Sequence, residues 1–478
     1  MTDAGPYLRP NPFLRGCEEI AGGFPGAAGA ATIVGMDQLF DLPPADAIPV
    51  EPERRGRPRL QRPNRNQLTL RPSDLESLLP AEHEARLVWA FVESRDLSAF
   101  GERIRAVEGH PGRPPIDPAI LVSLWLYATL NGVGSARALD RLCGEHDAYR
   151  WICGGVSVNY HTLAEFRVTE ADLLEDLLVQ SVAALLVTGE VTLVRVAHDG
   201  IRVRASAGAA SFRRRPRLEA ALDLAEAQVA ALRSELDDDP AATSRRVVAA
   251  RERAVREREA RVRRALAALP ELEATKARAK ARGSKDRPVS EARASTTDPE
   301  ARVMRMGDNG FRPAFNGQFS TDVDSGLVCG VSVTNRGTDH GELVPIVRRL
   351  EHAFGRRPDE ILVDGGFVVL DDIAALEGGG TAVYAPLPEH HPGGDAIPHR
   401  KPDAPGVAAW RERMGTDPAK AIYRLRAASA EWTNALARNR GLGQFPVRGL
   451  ERVRSVLLWY ALAHNLARTI SLRAAAAG

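Results

Sequence analysis

The sequence predicts an α/β protein: a mixed sheet carrying a helical hairpin insertion, preceded by an all-helical domain. Three observations lead there. Residues 65–188 show helical apolar spacing and helix caps. From Glu190 the texture turns to β-branched runs, first joined by a hairpin turn and then alternating with helices. Between the first and second of those runs lies a seven-residue apolar repeat.

Residues 1–60 are rich in Gly, Pro and Ala without sustained periodicity, which predicts a disordered or flexible arm with a basic end. Over 61–188, Leu87, Val88, Phe91 and Val92 recur at three and four. Asp117 caps a helix running through Leu130. Gly132 and Gly134 break the chain, and Ser135 can cap the next helix, over 136–142. A short helix follows over 147–152, and Asn159 or Thr162 starts another through Phe166. Short helices with glycine-containing turns are compatible with a helix-turn-helix module.

The first strand is expected over 191–197. Strands at 315–323 and 327–333 flank the turn Asp324-Ser-Gly326. Asp339, with Glu342 three residues on, reads as a capping box. A strand at 360–363, a helix near 370–376 and a strand at 382–385 come next. A long helix over 416–438 and another over 450–472 close the chain. The sheet core thus takes 189–215 and 291–440, with 441–478 as a C-terminal helix packed on it. In the insertion, 216–290, Leu218, Leu222, Ala225, Val229, Leu232 and Leu236 form one seam. Val248, Val255, Val262 and Leu269 form another, across a turn at 237–240. An antiparallel helical hairpin followed by a basic linker at 276–295 is predicted.

With 478 residues, the chain is long enough for two or three domains. Lys and Arg number 64 against 62 Asp and Glu, so the net charge of +2 does not itself argue for a polyanionic partner. Arginines cluster, however, at 54–71, 202–217, 245–264 and 424–454. Their forked donors suit phosphate. A GC-rich genome also favours Arg over Lys, so only the clustering carries weight. Four scattered cysteines suggest a reducing, cytoplasmic setting. The spacing of Cys143, His146, Cys153 and His161 fits no common zinc finger, and each has an ordinary helix-packing explanation. No apolar run reaches the roughly 18 residues of a membrane span, and no signal peptide is evident.

Three acids stand out. Asp199 and Asp364 end expected strands and precede glycine; Glu431 lies in an Ala- and Arg-rich helix. Carboxylates brought from strand ends and a helix suit two-metal phosphoryl transfer. Each alone has a plainer reading, as a turn aspartate or a solvated helix charge. Tyr423, Ala427, Glu431, Asn434 and Arg438 step by four, four, three and four along one polar stripe, which suits either a metal-phosphate site or an exposed face. His198 neighbours Asp199 but should face the other side of the strand.

Several motifs extend the pattern. Ser295-Thr-Thr-Asp298-Pro-Glu300-Ala-Arg302-Val-Met is followed by Phe311-Arg-Pro-Ala-Phe315-Asn316-Gly-Gln318. Next come Tyr423-x2-Arg426-x4-Glu431-x6-Arg438, then Arg438-Asn-Arg440-Gly441, Val447-Arg448-Gly449-Leu450 and Trp459-Tyr-Ala-Leu-Ala-His464-Asn465-Leu. With Gly112-Arg-Pro-Pro115 and Thr162-Leu-Ala-Glu165-Phe-Arg167 in the helical part, the chain resembles the DDE-type transposases of bacterial insertion sequences over most of 62–472. It departs from many relatives in Gly365-Gly366 after the second aspartate. It also has His390-His391-Pro392 to His399 where some carry a cysteine cluster.

The resemblance implies an RNase H-like sheet, with Asp199, Asp364 and Glu431 as catalytic acids and as ligands of two Mg²⁺ or Mn²⁺ ions. It implies cleavage of double-stranded DNA at terminal inverted repeats and strand transfer into a target, carried out by a homodimer on DNA in the bacterial cytoplasm at the nucleoid. Arg426 and Arg438 would clamp a phosphate or pair with Glu431. Tyr423 would hydrogen-bond a phosphate or stack on a base. Asn434 and Arg167 would join them in contacting DNA. The hairpin would serve dimerisation or grip DNA. A nuclease without strand transfer, or a non-catalytic DNA-binding descendant, are the competing readings.

Overall fold

The computed structural model describes residues 74–104, 106, 114–238, 242–282, 291–387 and 403–477. The arm over 1–60, the basic run 54–71, Gly112-Arg113, the linker at 283–290 and the segment 390–399 lie outside the described residues.

Among the described residues, seven α-helices come first: α1 Glu84–Glu93, α2 Ser98–Glu102, α3 Pro118–Leu130, α4 Ala136–Glu145, α5 Asp147–Cys153, α6 Tyr160–Thr169 and α7 Ala171–Val187. Local chemistry starts several of them. Asp117 accepts from the Ala119 amide, Ser135 from Ala138, and Asn159 from both His161 and Thr162, as the sequence predicted. His146 caps α5 through its ring nitrogen, accepting from the Ala148 amide. Helix α3 is buried almost all round and forms the axis of this part, with Trp125 donating to the Leu163 carbonyl.

Strand β1, Arg195–Arg204, starts later and runs further than predicted. Leu193 takes a left-handed backbone (φ 50°) and donates its amide to Asp322, which bends the chain out of the extended run. After β1, the short strand β2, Phe212–Arg213, leads into α8, Arg215–Asp238, and α9, Ala242–Arg282. Strand β3, Ala294–Ser295, pairs with β2 and closes the base of this excursion. Leu218 of α8 packs with Val262, Ala265 and Leu269 of α9. Helix α9 reaches past the predicted hairpin end, through Pro270 into the expected linker.

Strands β4 Arg302–Arg305, β5 Phe311–Asp322 and β6 Val328–Thr334 follow, with a turn at Gly326 (φ 72°). Then come α10 Leu343–Phe354, β7 Glu360–Leu362, α11 Leu370–Gly378, β8 Ala382–Tyr384 and α12 Pro405–Gly415. Six of the described strands form a mixed sheet ordered β4-β5-β1-β7-β8, with β6 also pairing with β5. β1 is antiparallel to β5 and parallel to β7, and β7 is parallel to β8. A mixed sheet of this order, flanked by helices, is broadly consistent with an RNase H-like fold.

Where a single helix was expected over 416–438 there are three segments: α13 Asp417–Arg426, a π-turn at Ala427–Glu431, and α14 Trp432–Asn439. Helix α15, Leu450–Ala477, ties the molecule together. Its Trp459 donates to the Arg167 carbonyl of α6. Its Asn465 accepts from the Val328 amide and donates to the Val328 carbonyl, acting as a rung on β6. Its N-terminus is held by the Thr-Thr-Asp-Pro-Glu segment: Asp298 accepts from the Gly449 amide and Glu300 from Leu450. Anions at a helix start are favourable there.

The Asp199-Gly200 pair is not a turn. It lies within β1, opposite Phe319 and Gln318 of β5. Glycine is needed at 200 for space, because a Cβ would sit 2.8 Å from Asn316 Oδ1 and 3.0 Å from Asp339 Oδ1. Gly200→Ala should therefore destabilise the fold by about 1–3 kcal/mol, read as a lower urea midpoint at unchanged slope. Gly208→Ala, where nothing lies within 4 Å, is the control. An unshifted midpoint for Gly200→Ala would show that the packing yields freely.

Candidate active site

Register brings the two aspartates together. The parallel pairing of β1 and β7 matches Ala197 with Leu362, so Asp199 and Asp364 each lie two residues past the same rung. Asp364 leaves its strand there and caps the turn Gly365–Phe367, accepting from the Gly366 amide at 2.8 Å. Alternation sends His198 to the opposite face, as expected. Its Nδ1 lies 2.8 Å from Ser320 Oγ, and burial drives its pKa down to about 3, which leaves the ring neutral.

The glutamate arrives through the π-turn. Residues five apart on an α-helix lie about 140° apart around the axis, too far to meet. The wider turn at Ala427–Glu431 brings Arg426 and Glu431 face to face, with Nη2 2.6 Å from Oε1. Ser429 sits inside this turn and donates to the Leu425 carbonyl. The predicted stripe thus shifts: Arg426, rather than Ala427, joins Tyr423, Glu431 and Asn434 at the site.

Arg426 is the hub. Its Nη1 is 3.5 Å from Asp199 Oδ2, and the Tyr423 ring lies under the guanidinium with its centroid at 5.9 Å. Asn434 donates to Asp199 Oδ2 at 3.1 Å. Burial alone would lower the arginine's pKa. Asp199, Tyr423, Glu431 and Asp364 together outweigh that and hold it above its usual range. Asp199 is perturbed the other way: burial pushes its carboxyl up to about 6, Arg426 counters, and the charges of Asp364 and Glu431 add to the rise.

The remaining candidates fare differently. Arg438 is exposed on α14, with no side-chain partner among the described residues. Arg167 is buried, stacks on Trp125 at 4.7 Å and donates to the Gly134 carbonyl. Those contacts tie α6 to the α3–α4 turn.

Asp339 is the residue the sequence reading misplaced. It does not cap α10, which starts at Leu343 after Glu342 with no side-chain cap. Its Oδ1 instead accepts from Asn316 Nδ2 at 2.6 Å and from Gln318 Nε2 at 3.2 Å. It is wedged between the glycines that follow the two aspartates. A Cβ on Gly366 would lie 3.3 Å from Asp339 Oδ2 and 2.9 Å from Asp364 Oδ1. The available signal was Asn316 and Gln318, polar residues inside a buried strand that require a buried partner.

Among the described residues, no three His, Cys, Asp or Glu side chains are gathered closely enough to hold a metal ion. The donor chemistry nevertheless suits a hard divalent cation. The acids supply only oxygen, and Asn434 Oδ1 is buried beside Asp199 without a hydrogen-bond partner. The Arg426 guanidinium supplies the positive charge between Asp199 and Glu431.

Asp199 also sets a pH dependence. Its folded pKa of about 6 exceeds the ordinary 3.8, so the stability available to its protonated form below about pH 3.8 is lost as pH rises through 6. Without divalent ions, Asp199→Asn should therefore stabilise the protein at pH 7.5 by about 2–3 kcal/mol, and the gain should fade by about pH 4. Equal stability of both proteins at pH 7.5 in a denaturant titration would contradict this.

Comparison with known proteins bears on this geometry. A transposase domain (DUF772) model matches residues 73–169, and a transposase DDE domain model matches residues 404–470. The second match contains Tyr423, Arg426, Glu431 and Asn434, while Asp199 and Asp364 lie outside both. No curated protein and no solved structure matches the chain. DDE-type transposase domains are thus present in the helical part and around the glutamate, consistent with the insertion-sequence transposases and with DNA transposition as the general function.

Proposed function

We propose that this protein is a DDE-type transposase that cleaves DNA at the terminal inverted repeats of an insertion sequence and joins the ends to a target. Asp199, Asp364 and Glu431 are the catalytic acids and would hold two Mg²⁺ or Mn²⁺ ions. The observation that carries this reading is the Arg426 guanidinium, drawn between Asp199 and Glu431 within the field of Asp364. Three acids from separate elements lie in the field of one cationic centre, and acids so grouped could hold the two ions that in-line phosphoryl transfer uses.

Bound divalent ions would supply Lewis acidity at the scissile phosphate and activate the attacking water or 3′-hydroxyl. The chain's own groups do the rest. Asp199 on β1 and Asp364 just past β7 each lie two residues beyond the same rung of the parallel pairing. Asn434 holds Asp199 in place through Oδ2. Arg426, released from the acids, can fork onto a phosphate, with Tyr423 beneath it. Arg438 is free to meet flanking backbone. Joining two DNA ends favours a homodimer on duplex DNA, working in the bacterial cytoplasm at the nucleoid. The helical domain would bind the repeats.

The test uses the purified full chain, labelled duplexes taken from the DNA flanking its coding sequence, and Mg²⁺ or EDTA. Cleavage and joining should need the metal. Asp199→Asn, Asp364→Asn and Glu431→Gln should each lower the cleavage rate by at least about 10³-fold while duplex affinity stays within about twofold. Wild-type cleavage by any one variant would remove that acid from the site. Cleavage without joining would make the protein a nuclease. Binding without metal-dependent cleavage would make it a non-catalytic DNA-binding protein.

A further inference from the structure

A second cationic feature lies away from the acids, where the helical excursion meets the start of α15. A cavity of about 540 Å³ is lined by Arg261 and Arg264 of α9, by Arg448 and Arg452, and by Thr297. A neighbouring cavity of similar size shares Arg261 and Thr297 and adds Arg213, Arg217 and Arg258. Together they form one arginine-lined cleft built from four parts of the chain.

The acids in this cleft are already engaged. Asp298 and Glu300 accept from the backbone amides of Gly449 and Leu450. Glu451 lies 3.7 Å from Arg454, and Glu257 lies 3.8 Å from Arg261. Arg258, Arg264 and Arg452 are exposed and make no ion pair among the described residues. Arg261 is crowded by its own kind: burial first, then Arg448, Arg264 and Arg258, lower its pKa, and its Nε is buried without a hydrogen-bond partner. Like charges held together against their repulsion, beside the hydroxyls of Thr296 and Thr297, fit an extended polyanion.

Location separates the cleft from the acids. Arg448 donates to the Ser206 carbonyl just beyond β1. Five residues of strand separate Asp199 from Arg204, about 17 Å at 3.3 Å each, or roughly five base pairs of duplex at 3.4 Å. Along α9, Arg258, Arg261 and Arg264 step about 4.5 Å apiece, so the charge is a row rather than a point.

We infer that this cleft grips the phosphodiester backbone of duplex DNA flanking the cut, so that the helical excursion serves as a DNA clamp. The inference rests on the DNA-processing function proposed above. The full chain is titrated against a fluorescein-labelled mixed-sequence duplex of about 30 base pairs over a range of KCl concentrations. The combined variant Arg258→Ala, Arg264→Ala and Arg452→Ala should bind at least about tenfold more weakly, with the slope of log affinity against log salt shallower by about 2–3. The matching Arg→Lys variant should keep most of the affinity and slope, which separates charge loss from misfolding. If wild type binds and the alanine variant matches it in affinity and slope, the clamp is overturned while the DNA-processing function stands. If wild type binds no duplex at all, both fall.

Discussion

Negative side chains drawn from different parts of the chain need a positive partner between them, and around Asp199 and Glu431 that partner is the Arg426 guanidinium. It reaches Asp199 with one terminal nitrogen and Glu431 with the other, and it lies in the field of Asp364. Asp199 shows how tight the balance is. Burial still pushes its carboxyl up to about 6 despite the arginine. The π-turn, the cross-strand register and the packing of α14 on the sheet all serve this one meeting of charges.

The scaffold behind it is built from close approaches. Parallel pairing aligns Asp199 with Asp364. On the other face, Asp339, Asn316 and Gln318 form a buried polar wedge against the glycines that follow each aspartate. A wedge of this kind has few alternative arrangements, because every polar atom left without its partner would carry a desolvation cost. Helix α15 then fixes the assembly from outside. Its start is held by Asp298 and Glu300, its middle by Trp459 on α6, and its Asn465 by the edge of β6. The Thr-Thr-Asp-Pro-Glu and Arg-Gly-Leu motifs, far apart in sequence, are two halves of one helix cap.

What was legible in the sequence was mostly local. Asp117, Ser135 and Asn159 announce their helices because a cap involves only the next two or three residues. In the insertion, Leu218 of one expected seam and Val262 and Leu269 of the other pack together between α8 and α9. The sequence pattern points to Asp199, Asp364 and Glu431 as acids of interest, and all three act on the charge of Arg426. What was hidden depends on distant partners. Asp199-Gly200 reads as a turn until Asn316 and Asp339 are seen to need the missing Cβ. Asp339 reads as a helix cap until Asn316 and Gln318 claim it. The glutamate's helix reads as continuous because nothing in a four-and-three rhythm signals a five-residue turn. Arg167 reads as a DNA contact, yet its guanidinium lies buried over Trp125.

The central claim is that the guanidinium holds the place of divalent cations. Crystals of the full chain with duplex DNA and Mn²⁺, measured at the manganese edge, test it most directly. The expected result is anomalous density bounded by Asp199, Asp364 and Glu431, with Arg426 turned away toward the DNA backbone. No manganese there, with Arg426 still joined to Asp199 and Glu431, would contradict it and leave the three acids as a structural ion-pair network.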